Sequence, residues 1–239
     1  MKSIFNLDSP LMQMLTRIGD MILLNVLFLI CCIPVITAGA SIAAMHKMLQ
    51  EIVYDVDSST VKGFFRAFRA NFKQATVVWL VMLLVILSLG CDALLIITFF
   101  SGSEAVKWML ILLAVLAVLV CCVAAYIIPL LVRYENTLRE HLMNACVLSI
   151  IKLPRTIGLV LLNLMPLILL ALSLNAFIQT LIFWVFIGFA FTTYMEVILL
   201  KPVFTELEGG KENVKVGLYP NMCKGAVKTA PCFCGFFKL

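Results

Sequence analysis

An all-α, multi-pass membrane protein is the fold class this sequence predicts, and three observations predict it. Of 239 residues, 63% are hydrophobic and only 13% are charged, and the mean hydropathy is +1.11. A water-soluble domain with so few polar side chains could not cover its apolar surface. The apolar residues also come in continuous runs, where a membrane β-barrel would alternate apolar with polar. Finally, four of those runs carry no charge or a single one.

The runs give the elements in order. Met21 to Met45 is uncharged, Gln74 to Ser103 carries only Asp92, and Trp108 to Val132 and Thr156 to Met195 carry none. One helical span takes about 20 apolar residues. The first three runs are therefore one span each, and the last predicts two. Its break is placed between Ser173 and Thr180, where Ser173, Asn175, Gln179 and Thr180 cluster. About five spans result, in a membrane domain over 1–207. A cytoplasmic tail, 208–239, is expected to be poorly ordered.

Lys and Arg set the orientation, because cytoplasmic loops are enriched in them. Lys47, Lys62, Arg66, Arg69 and Lys73 follow span one, Arg133, Arg139, Lys152 and Arg155 follow span three, and Lys201, Lys211, Lys215, Lys224, Lys228 and Lys238 follow span five. The alternate side holds Lys2, Arg17 and Lys107. This predicts an N-terminus outside and a C-terminus in the cytoplasm. The early cations, apolar core and Ala38-Gly39-Ala40 mimic a signal peptide, but Asp20 abuts the core, so the segment is expected to stay.

Residues 64–76 read FFRAFRANFKQAT, with no acid. At about 100° per residue, Phe64, Phe65, Phe68 and Phe72 fall along one side of a helix; Lys62, Arg66, Arg69 and Lys73 fall largely along the other. The pattern predicts a membrane-surface helix, rings in the acyl boundary and cations at anionic headgroups. The lipid bilayer is the expected partner; nucleic acid is not, since it would leave the rings without an apolar surface. A second cytoplasmic segment runs from Arg133 to Arg155. There Arg139 and Arg155 accompany a stripe of Leu138, Leu142, Cys146 and Ile150, suited to the bilayer or to a partner helix.

Several motifs in fixed order make the chain specific. LTRIGDMILLN and LICCIPVITAGASIAA precede FFRAFRANFKQAT, and YENTLREHLMNACVLSIIKLPRTIGLVLL and LLKPVF follow. This order resembles the YesL family of bacterial integral membrane proteins, from about Phe5 to Phe204. The resemblance implies a multi-pass protein of the bacterial plasma membrane whose genes lie beside carbohydrate-uptake genes. It also implies an accessory role with ABC-transporter permease subunits as partners. The family's biochemical activity is not established.

Within the spans, Pro34, Thr37, Gly39 and Ser41 mark a helix break or a tight packing face. Proline removes a backbone hydrogen bond, and small residues let backbones approach. A small-solute permease, with freed carbonyls lining its site, is the alternative reading of this break. The intramembrane polar residues are Asn25, Asp92, Asn163 and Glu196. Asp92 and Glu196 read as interfacial acids, and Asn25 and Asn163 as hydrogen bonds between helices. Asn71 completes the basic segment.

No catalytic set is found. His46 and His141 both fall in expected cytoplasmic helices, and no nucleotide-binding or hydrolase motif is present. Cys232 and Cys234 are two thiols without partner ligands, and the cysteines within apolar runs behave as small hydrophobes. No cofactor or metal and no enzymatic activity are expected. The sequence reads as a non-enzymatic accessory protein for carbohydrate uptake.

Overall fold

The computed structural model describes residues 10–56, 59–99 and 104–217. Every regular element among them is helical, in the order α1 (Pro10–Cys32), a 3₁₀ turn (Val35–Thr37), α2 (Ala38–Val53), α3 (Thr60–Phe99), α4 (Ala105–Arg133), α5 (Leu138–Ile151), α6 (Leu153–Leu172), α7 (Leu174–Phe183), a π-turn (Trp184–Gly188) and α8 (Phe189–Gly217). Five helical segments are long and apolar enough to cross a membrane: Met14–Cys32, Thr60–Phe99, Ala105–Arg133, Leu153–Leu172 and Phe177–Glu208. The last uncharged run does divide in two, at Ser173, whose backbone is extended between α6 and α7.

The first uncharged run is not one kinked span. At Pro34 the chain reverses, and α2 returns along α1. Ser41 Oγ donates to the Phe28 carbonyl at 3.0 Å near the turn. Arg17 pairs with Asp55 at the far end, and Thr60 donates to Asp20 at 2.6 Å. The Asp55 backbone is left-handed, with φ 53°, where the chain leaves α2. Side chains in direct contact share one side of a bilayer. The expectation that the start of α1 and the 47–73 segment face opposite sides is therefore corrected.

Helix α2 is the central element, packed against α1, α3, α4 and α8. Its small residues permit this. Ala40, Ala43 and Ala44 are fully enclosed, and at Gly39 the backbone lies directly on Ala75 and Trp79 of α3. The main core gathers Leu24 and Phe28 of α1, Met48 and Leu49 of α2, Phe64 of α3 and Val197 of α8. A second core joins α4, α5, α6 and α8 around Tyr126, Leu159, Leu200 and Phe204.

The basic segment is the first part of α3, which at 40 residues is about 60 Å long. Its phenylalanines do not dip into lipid as a row. Phe64 is fully buried in the main core and Phe68 packs against it, while Phe65 and Phe72 stay exposed. The rings follow one another along the helix, Phe64 stacked on Phe68 and Phe68 tilted against Phe72. Part of the apolar face, Phe64, Ala67 and Phe68, found its partner inside the protein, in the core shared with α1 and α2. Helix α8 continues through the expected domain end at 207 as far as Gly217. Cys232, Cys234 and the rest of 218–239 lie outside the described residues.

Candidate functional site

A cavity of about 190 Å³ lies where α2, α3, α4, α6 and α8 meet. Its walls are mostly apolar, with His46, Asn163 and Glu196 as the polar exceptions. Glu196 is 4% exposed, and its Oε2 stands 3.4 Å from His46 Nε2. His46 is equally enclosed, and its Nδ1 has no hydrogen-bond partner. The interfacial reading of Glu196 is thus corrected: instead of reaching toward headgroups, it points into the protein. His46 is likewise internal, because α2 turns back into the bundle as its core.

The other polar candidates separate. Asn163, exposed at the cavity rim, donates to the Leu159 carbonyl of its own helix at 3.0 Å rather than across to a neighbour. Asp92 is exposed in a shallow groove between α3 and α4, beside Met109 and Leu112. Asn25 does bond between helices. Its amide donates to the carbonyls of Trp184 (3.1 Å) and Val185 (2.7 Å), and its oxygen accepts from the Ala190 N–H (2.9 Å). One side chain thereby satisfies backbone groups loosened by the π-turn.

At the Pro34 break three carbonyls accept side-chain hydrogen bonds. Thr37 Oγ1 donates to Cys31 O (2.7 Å) and Pro34 O (2.9 Å), and Trp79 Nε1 donates to Val35 O (2.9 Å). Ile33, Val35 and Ile36 are exposed around them, giving the turn an apolar tip. The turn is a packed and capped reversal; the cavity lies elsewhere.

Charged side chains gather where the ends of α2 and α4 meet the middle of α8. The Arg133 guanidinium meets Glu208 at 2.8 and 3.0 Å and lies over the rings of Tyr54 and Phe204 at 4.5 and 4.8 Å. Lys201 bonds the Val53 carbonyl at 3.3 Å, and Lys152 pairs with Glu206 at 2.7 Å. Burial and the neighbouring Glu208 push the Tyr134 hydroxyl up to about 12. These contacts tie the helix ends together.

Along α3, Arg66, Arg69 and Lys73 are exposed, and Asn71 donates to the Ala67 carbonyl at 3.0 Å. Arg139 is exposed on α5 and Arg155 half-buried at the start of α6. The α5 stripe faces outward: Leu138, Leu142 and Ile150 are exposed, whereas His141, Ala145, Leu148 and Ser149 form the buried face. Thr137 and Glu140 close a capping box at its start. Among the described residues, no group of three or more metal-ligating side chains converges.

Residues 21–93 match a family described as a protein of unknown function, DUF624. No curated protein and no solved structure matches the chain.

Proposed function

We propose that the chain is a non-enzymatic accessory component of the bacterial plasma membrane, similar to the YesL family, that associates with ABC-transporter permease subunits in carbohydrate uptake. The observation that supports this reading is the way α3 divides its two faces. Phe64 and Ala67 are locked into the protein, and Arg66, Arg69 and Lys73 stand exposed on the other side. A cationic row on a helix fixed from behind suits an acidic partner surface, because little backbone freedom remains to be lost on docking and opposite charges steer the encounter.

In this reading the row is cytoplasmic, as its Lys and Arg content favours. Arg17 joins that side through its contact with Asp55. Lys107 is then the one cation among the described residues left for the outer face. Both the start of α1 and the C-terminus are cytoplasmic, and α1 with α2 enters and leaves on the same side. The permease alternative would use carbonyls at the Pro34 break, where those of Cys31, Pro34 and Val35 accept side-chain hydrogen bonds.

Purification from the native host in a gentle detergent, with mass spectrometry of what accompanies the chain, tests the proposal. Stoichiometric ABC permease subunits are expected with the wild type. At least about tenfold less is expected with a charge-reversed R66E/R69E/K73E variant, since like charges facing each other cost several kcal/mol. Wild-type chain recovered alone, or a variant that retains its subunits, would overturn it.

A further inference from the structure

Helix α3 sets a scale for depth in the membrane. Lys62, Arg66, Arg69 and Lys73 are exposed along its first part, and from Gln74 to Phe99 its only charge is Asp92. An exposed lysine is too costly to lie deep in hydrocarbon, although its side chain reaches back to the headgroups from a few ångströms inside. Lys73 therefore marks the membrane boundary. Trp79 follows six residues later, about 9 Å further in. From Trp79 to Phe99 about 30 Å of helix remains, a full hydrocarbon thickness.

The Pro34 reversal is fixed to α3 at Trp79. The indole Nε1 donates to the Val35 carbonyl at 2.9 Å, and Gly39 lies on Trp79 and Ala75. Both arms of the hairpin agree with this shallow level. On α1, twelve uncharged residues, Met21 to Cys32, separate Asp20 from the turn, about 18 Å of helix. On α2, Lys47 comes nine residues after Ala38, about 14 Å down the other arm. Each arm falls short of the roughly 20 apolar residues that one crossing takes.

The tip itself suits acyl chains. Ile33, Val35 and Ile36 are 79%, 60% and 59% exposed, and a hairpin that crossed completely would hold all three in water. Irregular backbone is tolerated in hydrocarbon only where its polar groups are satisfied. Here the carbonyls of Cys31, Pro34 and Val35 accept from Thr37 and Trp79. The Ile33 and Thr37 N–H groups donate to the carbonyls of Ile30 and Pro34. Val77, Leu80 and Val81, exposed on either side of Trp79 in α3, continue the same apolar surface.

We propose that α1 and α2 form a re-entrant hairpin that does not cross the bilayer, its tip of Ile33, Val35 and Ile36 seated among the acyl chains of the leaflet on the Lys73 side. This seat requires neither the accessory role nor a particular cytoplasmic face. The test places one spin label at a time on the full chain in nanodiscs, in a background without native thiols. Collisions are measured with oxygen, which concentrates in hydrocarbon, and with a polar nickel chelate, which stays in water. Leu80→Cys, Leu87→Cys and Ser59→Cys, all at exposed positions, give the near-tip, mid-bilayer and aqueous references. The chelate is expected to reach a label at Val35→Cys at least about tenfold less than at Ser59→Cys, because a polar group leaves water only at high cost. The oxygen-to-nickel ratio at Val35→Cys should match that at Leu80→Cys and fall below that at Leu87→Cys. Three outcomes would overturn the proposal: nickel access equal to Ser59→Cys, which puts the tip in water; a ratio equal to or above that of Leu87→Cys, which puts it at or past the midplane; or loss of both collisions, which means that another protein surface covers it. Should Val35→Cys fail to assemble, Ile36→Cys reads the same depth.

Discussion

Gly39 shows how far one residue governs this bundle. A Cβ there would sit 2.4 Å from Trp79 Cβ and 2.5 Å from the Ala75 carbonyl oxygen. Neither the α3 backbone nor the root of a tryptophan side chain yields easily, so α2 and α3 would have to move apart. Gly39→Ala is expected to destabilise the protein by about 1–3 kcal/mol, seen as a lowered thermal midpoint in detergent. Gly19→Ala is the control, because nothing lies within 4 Å of its added Cβ and alanine favours helix. Equal behaviour of the two variants would deny the close approach. The residue types alone pointed to close packing at Gly39 and to an interhelical bond at Asn25. They could not point to the His46–Glu196 pair. Beside Lys47, His46 reads as solvated, and only the direction of α2 makes it internal.

At the scale of elements, the reversal at Pro34 separates what the sequence shows from what it hides. A proline followed by small residues announces a break, but a kink and a reversal begin with the same chemistry. The outcome depends on who satisfies the freed carbonyls, and here Thr37, Ser41 and Trp79 do so together. Trp79 belongs to another helix, so no local window contains the answer. The five apolar segments were legible because each needs only its own composition; the path of the first one needed its neighbours. The same ambiguity divides the phenylalanines of α3: Phe64 and Phe68 pack inside the protein, while Phe65 and Phe72 stay exposed. Single cysteines at Thr16 and Ser59, both exposed, test the hairpin in a background without native thiols. An impermeant maleimide should label both from the same side of sealed vesicles. Labelling from opposite sides would rule out the hairpin, whichever face proves cytoplasmic.

For the whole molecule, His141 connects local burial to overall stability. It is 1% exposed on the inner face of α5, and both ring nitrogens lack a partner. Burial pushes its imidazole below the ordinary value of 6.5, against a smaller upward pull from Glu140. The folded protein therefore keeps the ring neutral at pH values where the unfolded chain protonates it. As pH falls through about 6.5, the unfolded state binds the additional proton and stability declines, until the lower folded value is reached. Glu140 does not blur this window. The Thr137 N–H and hydroxyl hold its carboxyl below the ordinary 4.5, so its stabilisation is present above that value and fades only in stronger acid. His141→Leu removes the titrating ring and keeps an apolar side chain of moderate size. Its thermal midpoint relative to wild type should climb steadily as pH is lowered from about 7.5 to about 5.5. Subtracting the two curves cancels every other titrating group, His46 included. Parallel curves would mean that His141 titrates alike in both states, and that its nitrogens are solvated in the native protein.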